Sequence, residues 1–423
     1  MKSNRHYFFM LLVILTVMGL VGCTENKGIK ESKEDNSPVT IKVAWWGKDV
    51  RHERTLAAID MFQNKYPTIK VEPIYMDFNE YFLQMAILTA DQQIPDVIQM
   101  DYNHIAQYTE RKLIVSLDTY LENGIIQRGE IDDAYLSGGM INEQLYGIPL
   151  GTNAASMAYN PALFDQAGIP YPTAESTYDD IMQMARDLKA NINKEGFYPL
   201  ANNVAHEFPY YLRQNGAAMF NAEGNSLGYT EDKYFVEYMN MQKAWKQEGL
   251  IGSDGAALFQ EEGAALISQW SNQTANLVKE GVVKILPLPS IAGGEEGNYI
   301  RPATFFSVTS YSKHQEAAAS FVDFITNDVE ANKVLLGERG VPISAKVREE
   351  IMPLISDNDK VQYEYIEYVQ KHSRDIDPPA PNAGSKVLSV LKRYEGKVLN
   401  GELIVEEAAK QFREEANKIL AAG

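Results

Sequence analysis

Three short apolar segments near the start of the chain are each followed by aromatic and hydrogen-bonding side chains. These side chains are Trp46, Asp49, Arg51, Phe78, Gln99, Asp101 and Tyr102. Aromatic rings pack against apolar surfaces of a ligand, and charged or amide groups bind its polar atoms. If the three segments are neighbouring strands, these residues predict one non-covalent binding site.

Motifs for catalysis or metal binding are absent from the sequence. None of the six histidines forms an HExxH motif, and the single cysteine rules out a Cys/His cluster. There is no phosphate-binding loop, no GxGxxG fingerprint and no GxSxG elbow. We therefore expect no metal, no cofactor and no enzymatic activity. The 57 acidic residues offer many carboxylate pairs, however, so a secreted glycan-cleaving enzyme stays an alternative.

The elements that position these side chains alternate between strands and helices. The residue patterns predict strands at Thr40–Trp45, Ile69–Met76 and Val97–Met100, with helices at His52–Tyr66 and Asn79–Ala90. This β-α-β-α-β order indicates an α/β fold with a mostly parallel sheet flanked by helices. Ligands of such sheets bind beyond the carboxyl ends of the strands, where the listed side chains would meet.

Composition limits the classes of partner. The chain has 423 residues, of which 45% are hydrophobic and 23% charged, which is typical of a globular protein of two or three domains. The formal net charge is −18 at pH 7. Such a charge repels phosphate backbones, so we expect no nucleic-acid partner. We expect the protein to be a monomer.

The N-terminal segment predicts export. Lys2 and Arg5 precede a long apolar run, so residues 1–22 are typical of a signal peptide, although the run is nearly long enough for a membrane-spanning anchor. The run ends in Leu-Val-Gly-Cys, which resembles the lipobox of bacterial lipoproteins. We expect the lipid, including palmitate, on Cys23 to hold the protein at the outer face of the cell membrane. Residues 23–38 would form a flexible tether because they are almost entirely polar.

Segments along nearly all of the remaining chain resemble bacterial extracellular solute-binding proteins of family 1, the carbohydrate-binding group that includes maltose-binding proteins. The segments are Val43–Gly47, Phe62–Pro67, Pro95–Gln99, Leu145–Pro149, Tyr159–Phe164, Gly168–Pro170, Gly263–Trp270, Ser312–Ile325 and Gly340–Pro342. The resemblance implies the type II periplasmic-binding-protein fold, in which crossing strands join two lobes, each a mostly parallel sheet flanked by helices. Lobe one would comprise residues 39–149 plus 290–328, and lobe two residues 150–289 plus 329–423. The ligand would lie between the lobes, which close around it by a hinge motion.

The resemblance also implies further ligand-binding residues. Asn153 and Trp270 match family contact positions, with Trp270 stacking on a sugar ring, and Gln99, Asp101 and Tyr102 follow a strand where the family places ligand groups. Tyr210 and Arg301 complete the predicted site, with Arg301 meeting an acidic sugar. The alternatives are that Tyr210 is buried, as one tyrosine of its segment is expected to be, and that Arg301 forms a surface or structural ion pair, which the sequence favours.

The residues after the first strand have alternatives as well. Trp46 would stack on a sugar, or it would pack inside the protein. Of the two, Trp45 is the one expected in the core, because neighbouring residues of a strand point in opposite directions. Asp49 and Arg51 would bind ligand hydroxyls or a carboxylate, or they would cap the following helix.

The ligand class follows from details of the same resemblance. Residues 378–391 lack the aromatic contacts of the maltose-binding pattern, which disfavours a maltose-type ligand. The aromatic and charged residues near Trp46 and Tyr102 are similar to those of proteins that bind plant cell-wall oligosaccharides of pectin or rhamnogalacturonan type. We therefore predict capture of such an oligosaccharide for the permease subunits of an ABC importer. A surface sugar sensor or adhesin is a further alternative.

Overall fold

A computed structural model describes residues 38–252, 259, 263–278 and 284–422 of the chain. The predicted signal peptide 1–22, the lipidated Cys23 and all of the tether except Pro38 lie outside the described residues. The strands are β1 (Val39–Trp46), β2 (Ile69–Met76), β3 (Val97–Met100), β4 (Met140–Ile141), β5 (Gln144–Leu145), β6 (Ile148–Asn153), β7 (Ala155–Tyr159), β8 (Leu266–Trp270), β9 (Lys284–Leu286) and β10 (Arg301–Val308).

Sixteen α-helices connect and cover these strands within the described ranges. They are α1 (Asp49–Lys65), α2 (Phe78–Ala90), α3 (Ile105–Glu110), α4 (Asp118–Glu122), α5 (Asp133–Leu136), α6 (Pro161–Ala167), α7 (Tyr178–Ile192), α8 (Phe208–Gln214), α9 (Lys233–Gln247), α10 (Ser271–Val278), α11 (Gln315–Asn327), α12 (Val329–Leu335), α13 (Ala345–Ile351), α14 (Asp357–Lys371), α15 (Gly384–Leu399) and α16 (Val405–Leu420).

The first sheet has the strand order β2-β1-β3-β10-β6. Strand β1 pairs in parallel with β2 and β3, while β10 is antiparallel to both β3 and β6. Four of the five strands therefore point the same way, and the β-α-β-α-β opening that the sequence predicts is confirmed. The carboxyl ends of β1 and β3 lie at one edge of this sheet.

The second sheet has the order β8-β7-β9, and β7 is antiparallel to both neighbours. This arrangement differs from the expected mostly parallel sheet. Helix α10 connects β8 to β9, which point the same way, as in a parallel crossover. Strand β7 lies between them and runs in the opposite direction because it continues directly from β6 of the first sheet.

Each sheet has its own hydrophobic core. The first core includes the buried side chains of Trp45, Phe306 and Phe321, and the second includes Trp245 and Phe412. The molecule is thus an α/β protein with two sheets joined by crossing strands. Side chains of α12 and α13 belong to the first core, whereas residues 329–423 were expected in lobe two. The lobe boundaries stay a prediction, and the packing of residues 329–351 differs from it.

A glycine permits the close contact that positions residues 337–341 beside the crossing strand β6. The backbone amide of Thr152 donates to the Val341 carbonyl at 2.9 Å, and the Val341 amide donates back at 3.1 Å. A Cβ atom on Gly151 would lie 2.5 Å from the Arg339 carbonyl oxygen, so a side chain there would force the segments apart. Residues 337–341 are therefore attached to the first sheet.

Candidate functional site

A cavity of about 430 Å³ lies where the two sheets meet. Its walls come from the ends of β1 and β3, the crossing strands β6 and β10, the end of β8 and the segment 337–340. The lining residues are Trp46, Arg51, Phe78, Asp101, Tyr102, Asn103, Asn153, Trp270, Asn272, Gln273, Arg301, Pro302, Ala303, Thr304, Gly337, Glu338, Arg339, Gly340 and Gln362.

The cavity brings together eight of the eleven residues that the sequence predicts for the site. They are Trp46, Arg51, Phe78, Asp101, Tyr102, Asn153, Trp270 and Arg301. These residues come from distant parts of the chain, so their convergence depends on the crossing of β6 and β10 between the sheets. Their role in binding stays a prediction.

The other three predicted residues do not line the cavity. Asp49 is exposed in the first turn of α1, where a carboxylate favours the helix dipole. Gln99 is fully buried in β3, beneath the cavity, and its side-chain oxygen lies 3.5 Å from Nε of Arg339. Tyr210 is buried and donates to Oδ1 of Asn298 at 2.9 Å, which corresponds to the alternative we considered for it.

Trp46 is packed more tightly than a free stacking platform would be. Its ring is only 7% exposed and makes edge-on contacts with Tyr81 at 5.0 Å and Phe78 at 5.6 Å between centroids. The centroid of the Phe82 ring also lies 5.6 Å from that of Trp46. Trp45 is fully buried and donates from Nε1 to Nδ1 of His52 at 3.1 Å, so its predicted core position is confirmed. Trp46 therefore presents only a small part of its ring to a ligand, while Phe78 is half exposed.

Arg51 is held in an ion pair that the sequence did not predict. Its Nε lies 2.9 Å and 2.6 Å from the two carboxylate oxygens of Glu338, and its Nη1 donates to the Trp46 carbonyl at 3.2 Å. Arg339 is buried beside this pair and donates from Nη2 to Oγ1 of Thr55 at 2.8 Å. Burial, with a smaller effect of the charge of Arg51, lowers the pKa of Arg339 to about 9 against the opposing charge of Glu338.

Glu338 and Arg339 could have been found from one local signal. They lie between Gly337 and Gly340, whose φ angles are +64° and +108°. Two glycines so close together indicate a backbone conformation that other residues rarely adopt, and thus a tight loop that fixes the two charged residues between them. Nothing in the local sequence identifies β6 as the loop's neighbour.

Trp270 and Arg301 line the cavity from the end of β8 and the start of β10. The guanidinium carbon of Arg301 lies 4.6 Å from the centroid of the Trp270 ring, which is a cation–π contact. His206 contacts the same indole at 5.1 Å in an edge-on arrangement. Asn153 pairs with Arg301 across β6 and β10. The side-chain oxygen of Asn153 accepts from Nε2 of Gln362 at 3.0 Å.

His206 is a neighbour of the site that the sequence did not single out. Its backbone has a φ of +62°, and its Nδ1 lies 3.2 Å from Oγ of Ser268. Its buried Nε2 has no hydrogen-bond partner among the described residues. Burial lowers the pKa of His206, Arg301 lowers it further, and Glu207 opposes both effects. The ring beside Trp270 is therefore neutral at pH 7.

Tyr102 connects the end of β3 to a segment beyond α14. Its hydroxyl donates to the Asp377 carbonyl, and the Asp377 carboxylate pairs with Nη1 of Arg213 on α8. Arg213 also donates to the Asp375 carbonyl at 2.9 Å and to the Gly297 carbonyl at 3.1 Å. Burial raises the pKa of the Tyr102 phenol. This network holds Tyr102, which lines the cavity, against the segment beyond α14.

Metal-binding groups and membrane-spanning helices are both absent from the described ranges. No group of three or more His, Cys, Asp or Glu in that part of the chain is arranged to bind a metal ion. Among the same residues, no helix is both long and apolar enough to cross a membrane.

The molecule has two helix-flanked sheets, joined by crossing strands, with a cavity of polar and aromatic residues where they meet. This architecture is that of the two-lobed binding proteins. The family model of the bacterial extracellular solute-binding proteins matches residues 48–332, which is more than half of the chain. The chain therefore belongs to this family.

Individual relatives are distant but match most of the chain. The multiple sugar-binding protein of Streptococcus mutans is 24% identical over 83% of this chain and 85% of its own length. The structure of a family 1 extracellular solute-binding protein from Alicyclobacillus acidocaldarius covers 91% of this chain and 99% of its own, with a TM-score of 0.78 and 28% identity. A periplasmic oligogalacturonide-binding protein from Yersinia enterocolitica has the same coverages and a TM-score of 0.78 at 21% identity, which shows a shared fold.

Proposed function

We propose that the protein captures an oligosaccharide outside the cell and delivers it to the permease subunits of an ABC importer. The observation that carries this proposal is the composition of the cavity at the junction of the two sheets. Phe78, Tyr102 and the exposed part of Trp46 offer apolar surface for the C–H faces of a sugar. Asn103, Asn153, Asn272 and Gln273 offer amide groups for its hydroxyls.

The type of sugar is part of the same proposal. The relative from Streptococcus mutans is named as a sugar-binding protein, which supports a carbohydrate ligand. We propose a plant cell-wall oligosaccharide of pectin or rhamnogalacturonan type, because the residues around Trp46 and Tyr102 are similar to those of such binders. The cavity draws on both sheets, so a bound ligand would favour the form in which they are close together.

The proposed location depends on the N-terminal sequence. We propose that Cys23 carries the lipid that holds the exported protein on the outer face of the membrane, where it acts as a monomer. A Cys23→Ala protein should lose its lipid and appear in the culture medium. Retention of that variant on the membrane would contradict the assignment.

Binding without cleavage is the part of the proposal that separates it from the enzymatic alternative. Two carboxylates line the described cavity, Asp101 and Glu338. Both oxygens of Glu338 contact Arg51, and Oδ1 of Asp101 accepts from the backbone and side chain of His104 at 2.9 Å and 2.7 Å. Carboxylates held in this way are poorly placed to act as the acid and base of glycoside hydrolysis.

The test uses purified protein and a panel of pectic and neutral oligosaccharides. Calorimetry should show binding of at least one oligosaccharide with micromolar affinity or better, about −8 kcal/mol. Chromatography after long incubation should return that oligosaccharide with its chain length unchanged. Shortened products would support the enzymatic alternative, and absence of binding to every member of the panel would contradict sugar capture.

A further inference from the structure

Arg301 differs from the other arginines of the cavity because no carboxylate neutralises it among the described residues. Arg51 is paired with Glu338, and Nη1 of Arg339 lies 3.9 Å from the same carboxylate. For Arg301 the structure shows the indole of Trp270 against the guanidinium, and no hydrogen bond or ion pair of its side chain within the described part of the chain. An aromatic face attracts a cation but accepts none of its five N–H donors in the manner of a carboxylate.

Counted over its described lining residues, the cavity therefore has a surplus of one positive charge. Three arginines line it, at 51, 301 and 339, against the two carboxylates Asp101 and Glu338. This surplus lies within a chain whose formal net charge is −18, so it is a local feature and not a property of the whole surface. A positive group in a partly closed cavity is costly unless a ligand or water compensates it.

The position of Arg301 is fixed by its neighbours. Asn153 pairs with it across the two crossing strands, and Trp270 comes from the end of β8 in the second sheet. The guanidinium covers one face of the indole, so that face is not free to stack on a sugar as the sequence led us to expect. Trp270 acts as a platform that holds Arg301 in place.

We propose that Arg301 binds a carboxylate of the ligand, so that the captured oligosaccharide is acidic and contains a uronic acid. This inference rests on the proposed function, since it names the substrate class of the same site. A carboxylate carries one negative charge and can accept two parallel N–H bonds from the planar guanidinium. A phosphate monoester carries about −1.5 to −2 at pH 7 and would exceed the surplus of one.

The test compares two ligands that differ in charge and hardly in shape. Calorimetry at moderate salt measures binding of an oligogalacturonic acid and of the same oligomer with its carboxyl groups methyl-esterified. The wild-type protein should bind the acid at least tenfold more tightly than the ester. Arg301→Gln should lower the affinity for the acid at least tenfold and change the affinity for the ester less than threefold. Arg301→Lys should recover part of the loss.

A matched control removes an arginine outside the cavity. Arg128 is exposed and paired with Asp133, and Arg128→Gln should leave the preference for the acid unchanged. If Arg301→Gln does not fold, the comparison of acid and ester in the wild-type protein still tests the acidic ligand. Arg301→Lys then tests the carboxylate contact, because it should bind the acid less tightly than the wild type and the ester equally well.

Each result has a distinct meaning. Equal affinity for acid and ester, or binding only of neutral oligosaccharides, would overturn the acidic ligand and leave sugar capture standing. An equal loss of both ligands in Arg301→Gln would overturn the carboxylate contact. Binding of no acidic, esterified or neutral oligosaccharide would overturn the proposed function, and this inference with it.

Discussion

Glu395 on α15 is a half-buried carboxyl near a second carboxyl, that of Glu207. Burial, with a smaller effect of the negative charge of Glu207, raises its pKa from the ordinary value to about 7 against the opposing charge of Lys392. The pKa is thus higher in the folded than in the unfolded chain. The contribution of this group to stability is fully present below the unfolded pKa, near 4.5, and is lost as the pH rises through about 7.

We therefore expect Glu395→Gln to stabilise the protein at high pH, because the amide keeps the shape of the protonated carboxyl without its charge. At pH 8 the gain in the free energy of unfolding should be up to about 3 kcal/mol, and at pH 4.5 it should be close to zero. Urea denaturation at the two pH values measures this difference. Glu364→Gln, at an exposed position of α14, is the control and should show no such pH dependence. The same behaviour in both variants would refute the prediction.

At the level of single residues, the sequence predicts the direction of a side chain better than its surroundings. The alternation of a strand was enough to place Trp45 in the core. It could not predict that Phe78, Tyr81 and Phe82 enclose most of Trp46, because those contacts depend on how α2 packs over β1. It likewise missed Glu338 as the partner of Arg51, since the two residues are 287 positions apart.

Among the elements, the loop of residues 337–340 carries the ion pair of the cavity. Gly340 has a φ of +108°, and a Cβ atom there would lie 3.0 Å from both the backbone nitrogen and oxygen of Thr152. Gly340→Ala should therefore cost about 1–3 kcal/mol of stability, because the alanine must strain its own backbone or displace β6. Thermal unfolding of the purified variant measures this loss as a lower melting temperature.

Replacing Gly396, in the interior of α15, should have the opposite effect on stability. A methyl group there would meet no atom within 4 Å, and its backbone is helical. Gly396→Ala should raise stability by about 0.5–1 kcal/mol.

If Gly340→Ala were as stable as the wild type, the loop of residues 337–340 could not be fixed to β6 as described.

The elements that the sequence predicts well are those specified by local patterns. The opening strands and helices of the first sheet have clear periodicity, and their parallel pairing follows from the helices between them. The second sheet has no comparable local signal for its order. Its central strand is β7, which enters directly from β6 and separates β8 from β9, so its antiparallel pairing is decided by the crossing of the chain between the sheets.

For the whole molecule, we expect ligand binding to change the shape as well as the stability, because the cavity lies between two sheets that have separate cores. A ligand that contacts both sheets favours the closed arrangement in proportion to its extra affinity for that form. At a ligand concentration 100 times the dissociation constant, the free energy of unfolding should rise by about 2.7 kcal/mol. Small-angle X-ray scattering should show a smaller radius of gyration in the same sample.

Scattering and thermal unfolding together distinguish closure from binding without closure. A higher melting temperature with unchanged scattering would mean that the ligand binds to one rigid body without closure. We expect closure to leave the Arg51–Glu338 ion pair nearly unchanged, because both residues are attached to the first sheet.

The tryptophans of the chain are distributed in a way that has a spectroscopic consequence. The chain has four, and Trp45, Trp46 and Trp245 are between 0% and 7% exposed. Trp270 alone among them is half-buried, and it lines the cavity beneath the charged group of Arg301. Two of these indoles line the cavity, those of Trp46 and Trp270, and Trp270 is the more exposed of the two. We therefore expect an arriving solute to change the wavelength and quenching of the intrinsic fluorescence mainly through Trp270, which would serve as an optical titration probe.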